Sequence, residues 1–97
     1  MMYRELERDA ERLLVRGVKK LGGLCYKFTS PGNSGVPDRV VGMNGSVFFV
    51  ELKKPDGKLT PLQVRQHTLL REAGATVFTL HGMDEVKKWL AGIEACA

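Results

Sequence analysis

Two short segments of the 97-residue chain carry residue types that could do chemistry together. Pro37-Asp38 precedes one apolar run, and Glu51-Leu52-Lys53 ends the apolar run that follows it. Acidic residues are depleted in strands, so the presence of an Asp and a Glu at the ends of two strand-like runs needs an explanation. Carboxylate oxygens are preferred ligands of Mg²⁺. A metal-bound water beside a Lys could hydrolyse a phosphodiester.

The turn between the two runs determines how these residues face each other. Asn44-Gly45 between apolar runs is the strongest short signal for a two-residue type I′ hairpin. With that turn and no bulge, Asp38 lies opposite Glu51, with Cβ atoms about 4.5–5.5 Å apart on one sheet face. Lys53 shares that face because side chains alternate along a strand. We therefore expect Asp38, Glu51 and Lys53 to cluster at the open end of the hairpin.

An ordinary ion pair on a solvated sheet face is the alternative interpretation of Glu51 and Lys53. Two opposed carboxylates destabilise a sheet, however, and a divalent cation removes the repulsion between them. The matching register of Asp38 therefore favours a metal site over a structural ion pair.

The other elements must position this hairpin. Apolar residues at three- and four-residue steps predict a first helix, and Gly22-Gly23 ends it. Thr60-Pro61 is typical of the start of a helix. Helices are predicted over residues 3–21, 60–73 and 83–93, and strands over residues 24–28, 37–43, 46–53 and 75–80. This αβββαβα order predicts an α/β fold with a central mixed four-stranded sheet flanked by helices.

Length and composition set the remaining bounds. The length predicts one domain over residues 1–97. A net charge of +4 and a pI of about 9.3 are compatible with a polyanionic partner, and equally with a solvated basic surface. Cys25 and Cys96 form no CxxC motif or Cys/His cluster, which argues against a structural zinc site and fits an intracellular location. The charged N-terminus is unlike a signal peptide, and no apolar run approaches the roughly 20 residues of a membrane span.

Three motifs together resemble the VRR-NUC domain, a branch of the PD-(D/E)xK nuclease superfamily. They are GVPDR at residues 35–39, VELK at residues 50–53 and TPLQ at residues 60–63. The resemblance extends over residues 11–80. It implies a restriction-endonuclease-like fold, a divalent metal cofactor (Mg²⁺ or Mn²⁺), and a phage or prophage source with action in the cytoplasm of the host cell.

The resemblance also implies which residues act. Asp38 and Glu51 correspond to metal ligands, and the backbone carbonyl of Leu52 is expected to complete the protein's share of the coordination. Lys53 corresponds to the catalytic lysine. Gln63, in TPLQ, resembles a glutamine that lies beside the active site in this family.

The family's first helix supplies a further acid to catalysis and to the metal. Glu11 aligns best with it when positions are counted back from Gly22-Gly23. Glu7, one turn earlier on the same face, and the nearby Asp9 are the alternatives.

Several polar residues around the site are candidates for DNA contacts. This set comprises Lys27, Ser30, Asn33, Ser34, Lys54 and Lys58. Each of them also has an ordinary structural interpretation. Lys27 would then be an exposed strand residue, the residues from Ser30 to Ser34 part of a plain connecting loop, and Lys54 and Lys58 solvated turn residues. Arg39 is expected on the opposite sheet face, in a salt bridge or a DNA contact. His67 is expected either to serve the site or to lie on the helix surface.

Because stand-alone members of this family resemble dimeric junction-resolving enzymes, the resemblance implies a metal-dependent, structure-selective DNA endonuclease that resolves branched DNA, such as four-way (Holliday) junctions, as a homodimer. No base-reading element is visible, and two sites related by a two-fold axis would suit paired nicks. The expected dimer surface is the apolar part of the first or last helix. One alternative is a non-catalytic nucleic-acid-binding module, which would have a broken acid set. The other is a structural or partner-binding subunit, for example an accessory to a phage helicase, which would need no metal.

Overall fold

Four strands form one mixed sheet in the computed structural model, which describes residues 4–96. The strands are β1 (Leu24–Lys27), β2 (Arg39–Met43), β3 (Ser46–Lys53) and β4 (Thr76–His81), and the helices are α1 (Glu7–Lys20), α2 (Pro61–Glu72) and α3 (Gly82–Ala95). The sheet order is β1-β2-β3-β4, with the first three strands antiparallel and β4 parallel to β3. The predicted element order and mixed sheet are confirmed.

Most elements begin or end one or more residues away from the predicted position, and the largest differences are in α1, β2 and α3. The first helix begins at Glu7, after Leu6 as N-cap, and residue 3 lies outside the described residues. Strand β2 begins at Arg39 because Asp38, just before it, bonds across to both neighbouring strands. The last helix extends further in both directions than predicted, over Gly82–Ala95.

The β2–β3 hairpin has the predicted register. Asn44 has a φ of 53° and Gly45 a φ of 78°, as a type I′ turn requires. The pairing runs from the turn to Arg39 opposite Val50. Asp38 and Glu51 therefore occupy the next position beyond the last pair, at the open end of the hairpin.

Helices α1 and α3 pack against one face of the sheet. The buried core there consists of Ala10, Leu14, Val18, Val41, Met43, Val50, Leu52, Leu80 and Val86. Trp89 of α3 packs edge-on against Phe48 and Phe78, with ring centroids 6.1 and 5.5 Å away. The apolar sides of both helices are thus buried inside the protein. No helix within residues 4–96 is long and apolar enough to cross a membrane.

The other sheet face is covered unevenly. Helix α2 packs against β4, and its His67 is fully buried. Towards β1, Leu24, Tyr26 and Val47 are exposed on this same face. They share it because Leu24 pairs with Gly42, which in turn pairs with Val47, and side chains of paired residues point the same way. We call these three side chains the open apolar face.

Candidate active site

Asp38 is fixed where β1, β2 and β3 meet. Its Oδ2 accepts a hydrogen bond of 2.9 Å from the backbone N–H of Leu52, and its carbonyl accepts one of 2.8 Å from the N–H of Phe28. Pro37, which precedes it, is buried and restricts the local φ angle. The carboxylate is therefore anchored to β3 directly beside Glu51.

Glu51 is a buried carboxyl group that reaches into the space between β3 and α2. Its side chain is 1% exposed. Oε2 accepts a hydrogen bond of 3.2 Å from Nε2 of Gln63. Oε1 has no hydrogen-bond partner among residues 4–96. A buried oxygen with free acceptor capacity is unfavourable unless something binds it, so Oε1 is available to a ligand.

Gln63 connects the start of α2 to this carboxyl group. Its backbone N–H donates to Thr60 Oγ1 at 3.2 Å, and its Oε1 accepts from the Thr60 N–H at 2.9 Å. This reciprocal capping box uses one end of the Gln63 amide, and the other end donates to Glu51. The predicted start of α2 is confirmed, and the interaction that caps the helix also orients Gln63 towards Glu51.

Gly35 allows the loop before Asp38 to cross the first turn of α2. Its φ is 94°, in the left-handed region. A Cβ at this position would lie 2.6 Å from the backbone of Leu62 and 2.9 Å from the N of Gln63. Real Cβ atoms do not approach a backbone so closely, so only glycine fits here. The contact brings the chain that carries Asp38 against the helix that carries Gln63.

The carboxyl groups of the site perturb one another. Burial, and next a side-chain hydrogen bond with Asp38 and its charge, raise the pKa of Glu51 to about 9, while the charge of Lys53 acts in the opposite direction. Burial and Asp38 also raise the pKa of Glu7, again opposed by Lys53. Asp38, Glu51, Lys53 and Glu7 therefore lie close enough to affect one another electrostatically. Asp38, Glu51 and Lys53 thus come together as the register predicts.

The three candidate acids of α1 have different surroundings in the structure. Oε2 of Glu11 lies 3.1 Å from Nε of Arg39, so Glu11 is in an ion pair. Asp9 Oδ2 accepts a hydrogen bond of 2.7 Å from the N–H of Leu6 at the helix start. The charges of Asp38 and Lys53 both act on the pKa of Glu7. Glu7 is therefore a candidate helix acid beside Glu11, and the ion pair with Glu11 gives Arg39 the salt bridge that was one of its two interpretations.

His67 is a site residue that the sequence alone left uncertain. Its side chain is fully buried, and Nε2 lies 3.5 Å from Oε1 of Glu51. Neither ring nitrogen has a hydrogen-bond partner among the described residues. Burial, and next the charge of Arg71, lower the pKa of His67, which favours the neutral ring. The available signal was its spacing from Gln63, four residues earlier on one helix face.

The candidate DNA contacts lie in three places. Lys27 is exposed and pairs with Arg39 across β1 and β2, so it projects to the α1 side of the sheet and away from Glu51. Asn33 bonds Ser30 twice, with distances of 3.0 Å, which orders the loop. The remaining candidates are exposed: Ser34 in that loop, and Lys54 and Lys58 in the turn after β3.

The donor set suits a hard divalent cation. Asp38 and Glu51 offer carboxylate oxygens, and Oε1 of Glu51 makes no hydrogen bond within residues 4–96, with Nε2 of His67 3.5 Å away. Within the same residues there is no cluster of three or more His, Cys, Asp or Glu that would hold a metal by itself. Two carboxylates with a backbone carbonyl, such as that of Leu52, fit an ion that keeps several waters and also binds substrate phosphate. A cation would also replace the proton that Glu51 otherwise retains.

Comparisons with known proteins found similar proteins by sequence and by structure. No protein-family model matches the chain. It is 48% identical over 79 residues to the protein named "Putative nuclease p44" of Acyrthosiphon pisum secondary endosymbiont phage 1, a match that covers 80% of this chain and 85% of that protein. A solved structure described as a VRR_NUC domain superposes with a TM-score of 0.80 and 33% identity, covering 88% of this chain and 94% of the other.

Proposed function

Because the chain belongs to the VRR_NUC family of nucleases, we propose that it is a metal-dependent, structure-selective DNA endonuclease that resolves branched DNA, such as four-way junctions, as a homodimer. The observation that carries the chemistry is the buried Glu51 carboxyl group, which has one free oxygen and lies beside Asp38 and Lys53. The phage relative supports a phage or prophage source, and hence action in the host cytoplasm.

The chain's own residues divide the chemistry among them. Asp38 and Glu51, with the carbonyl of Leu52, would hold Mg²⁺ or Mn²⁺, and such an ion would supply Lewis-acid activation of the phosphate and of a water. Lys53 contributes a positive charge next to the acids, where it stabilises the negative charge that develops on the phosphate. Glu7 adds a further carboxylate at the same end of the sheet.

Two residues of α2 contact the Glu51 carboxyl group and hold it in position. Gln63 holds Oε2 by a hydrogen bond, and His67 lies against Oε1. Replacing a residue that orients a metal ligand typically changes metal affinity or activity by about 10–100-fold. We expect effects of this size for Gln63 and His67. The full burial of His67 also keeps bulk water away from this side of Glu51.

The homodimer is proposed to form through the open apolar face of Leu24, Tyr26 and Val47. This differs from the surface expected from the sequence, because the apolar residues of α1 and α3 are buried in the core or packed against it. The open apolar face and the Glu51 site lie on the same side of the sheet. A pair of chains joined through that side would carry two sites for the two strands of a junction.

Cleavage of a labelled DNA panel tests the proposed function. The panel contains a four-way junction, a flap, a splayed arm, a plain duplex and a single strand, each with Mg²⁺, Mn²⁺ or EDTA, beside Lys53→Ala. We expect symmetric nicks in the junction that disappear with EDTA and in the variant. If the protein instead cuts another substrate in preference, with the same dependence on metal, then it is a nuclease for that DNA structure and not a junction resolvase. DNA binding without any cutting would favour the non-catalytic binding module instead.

A further inference from the structure

The outer face of α1 carries a row of cations. Arg8, Arg12, Arg16 and Lys20 follow one another at four-residue steps, with Lys19 beside them, and all five are exposed. Residues four apart lie on one side of a helix, so these side chains form a continuous stripe. We call these five residues the α1 basic face.

These cations lie in no ion pair within residues 4–96, although Asp9 lines an open cleft together with Arg12 and Arg16. The ion pairs formed within residues 4–96 are Arg39 with Glu11 and two His–Glu contacts, so none involves the α1 basic face. An exposed helix commonly balances its charges with pairs four residues apart. Here Glu11 pairs with Arg39 of the sheet and Glu7 lies within electrostatic reach of Asp38, and neither forms an ion pair with a cation of the stripe.

The α1 basic face borders a cleft that reaches Arg39, the residue after Asp38. Arg12 and Arg16, together with Glu11, Val15 and Arg39, line an open cleft of about 220 Å³. Arg39 directly follows Asp38 in the chain, and Glu7 at the start of α1 lies within electrostatic reach of Asp38. A polyanion in the site would therefore meet the cleft and the cations of α1 next.

We infer that the α1 basic face binds the phosphate backbone of a DNA arm that leaves the candidate active site along α1. Arginine is well suited to phosphate, because its planar guanidinium can donate two parallel hydrogen bonds to the oxygens. The stripe from Arg8 to Lys20 is about 18 Å long. That length corresponds to about five base pairs at 3.4 Å of rise each.

This placement bears on which DNA structure is bound. Helix α1 lies on one face of the sheet, and Glu51 projects from the other. DNA that contacts both the site and the α1 basic face must pass around the end of the sheet near Glu7. Branched DNA meets that requirement with separate arms. The inference rests on the proposed function in taking DNA as the substrate.

A solvated helix surface is the competing explanation for these charges. Lys19 and Lys20 suit the C-terminal end of the helix dipole. Arg8 does not, because it lies in the first turn, where the dipole disfavours a cation. The dipole therefore accounts for only part of the stripe.

The test measures how binding of a four-way junction depends on salt, in EDTA so that no cleavage occurs. Each lost phosphate contact lowers the slope of log K against log salt by about 0.9 for duplex DNA. We expect Arg12→Ala/Arg16→Ala to flatten the slope by nearly 2, and Arg12→Lys/Arg16→Lys to restore most of it. Lys87→Ala/Lys88→Ala removes two exposed lysines of α3 and serves as the matched control, with the wild-type slope expected.

Each outcome decides between the explanations. A wild-type slope in Arg12→Ala/Arg16→Ala would overturn the inference, as would an equal loss in the α3 control, which would indicate a general charge effect. Thermal unfolding of each variant verifies that it is folded. If the wild-type protein binds no DNA and cuts none, the proposed function fails as well, and this result differs from failure of the α1 contact alone.

Discussion

Nε2 of His67 lies 3.5 Å from Oε1 of Glu51, and both side chains are buried. Glu51 is thus contacted by two residues of one helix, with Gln63 on Oε2 and His67 near Oε1. In a metal-bound state, the buried imidazole would limit where the carboxylate can move. The functional carboxylate on β3 is therefore oriented by α2, an element with no metal ligand of its own in our assignment.

Replacement of His67 tests this positioning. We expect His67→Leu to weaken Mn²⁺ binding and slow junction cleavage by about 10–100-fold, because Glu51 loses a neighbour that orients it. His67→Gln, which keeps a hydrogen-bonding group, should retain more of both. Isothermal titration with Mn²⁺ and single-turnover cleavage measure the two effects, and circular dichroism monitors folding. Wild-type Mn²⁺ affinity in folded His67→Leu would mean that His67 only fills space.

The raised pKa of Glu51 predicts a pH dependence of stability in the metal-free protein. Between neutral pH and its pKa of about 9, Glu51 holds a proton in the native state that the unfolded chain releases. The unfolded state then binds fewer protons, so the free energy of unfolding falls as pH rises through this range. His67 does not interfere, since its lowered pKa acts at more acidic pH.

Thermal unfolding in EDTA at several pH values measures this effect. The wild-type protein should lose Tm between about pH 7 and pH 9 relative to Glu51→Gln, whose side chain does not titrate. Saturating Mn²⁺ should remove the difference in slope, because a bound cation replaces the proton. Parallel curves for the two proteins in EDTA would show that Glu51 is already ionised at neutral pH.

Glu7 and Glu11 are expected to have different functions. Glu7→Gln should reduce the cleavage rate with little change in Tm, because Glu7 faces Asp38 and Lys53. Glu11→Gln should instead lower stability by about 1 kcal/mol or less, since its partly exposed ion pair with Arg39 is lost. Cleavage kinetics and thermal melts of the two variants side by side measure this. The opposite result would assign the helix acid to Glu11, as the family alignment suggests.

Gly35 is expected to be irreplaceable in the loop before Asp38. Gly35→Ala combines a left-handed φ of 94° with a Cβ 2.6 Å from the backbone of Leu62. We expect a loss of about 1–3 kcal/mol, which lowers the Tm of a chain of this size by several degrees. Gly32→Ala in the same loop is the matched control, because its Cβ would meet nothing within 4 Å. Equal melting temperatures for the two variants would argue against the close approach of loop and helix.

The open apolar face predicts where the dimer can be broken. Tyr26→Glu should yield a monomer, because it places a charge in the proposed interface. Leu69→Glu changes an exposed apolar residue of α2 and should leave the dimer intact. Sedimentation velocity at several concentrations measures both. A wild-type protein that is monomeric throughout, or a Tyr26→Glu dimer, would refute the proposed interface.

Much of the site follows from local sequence features. The Asn44-Gly45 turn needs only two positive φ angles, and once it forms, the alternation of side chains places Asp38, Glu51 and Lys53 at one end of the hairpin. Helix periodicity and the Thr60 cap are equally local, which is why the element order and the start of α2 could be predicted. The lysine and both carboxylates of the site therefore needed no knowledge of how the helices pack.

The tertiary structure decided what depends on docking between distant segments. Only the packing of α2 over β3 brings His67 and Gln63 to Glu51, and it does so because Gly35 lets the preceding loop lie against the helix. Only the placement of α1 assigns Glu11 to Arg39 and leaves Glu7 facing the site. Periodicity and turn chemistry act over a few residues, whereas these contacts depend on how whole elements fit together. The sequence by itself determined the site's reactive groups, and tertiary packing determined which residues orient them.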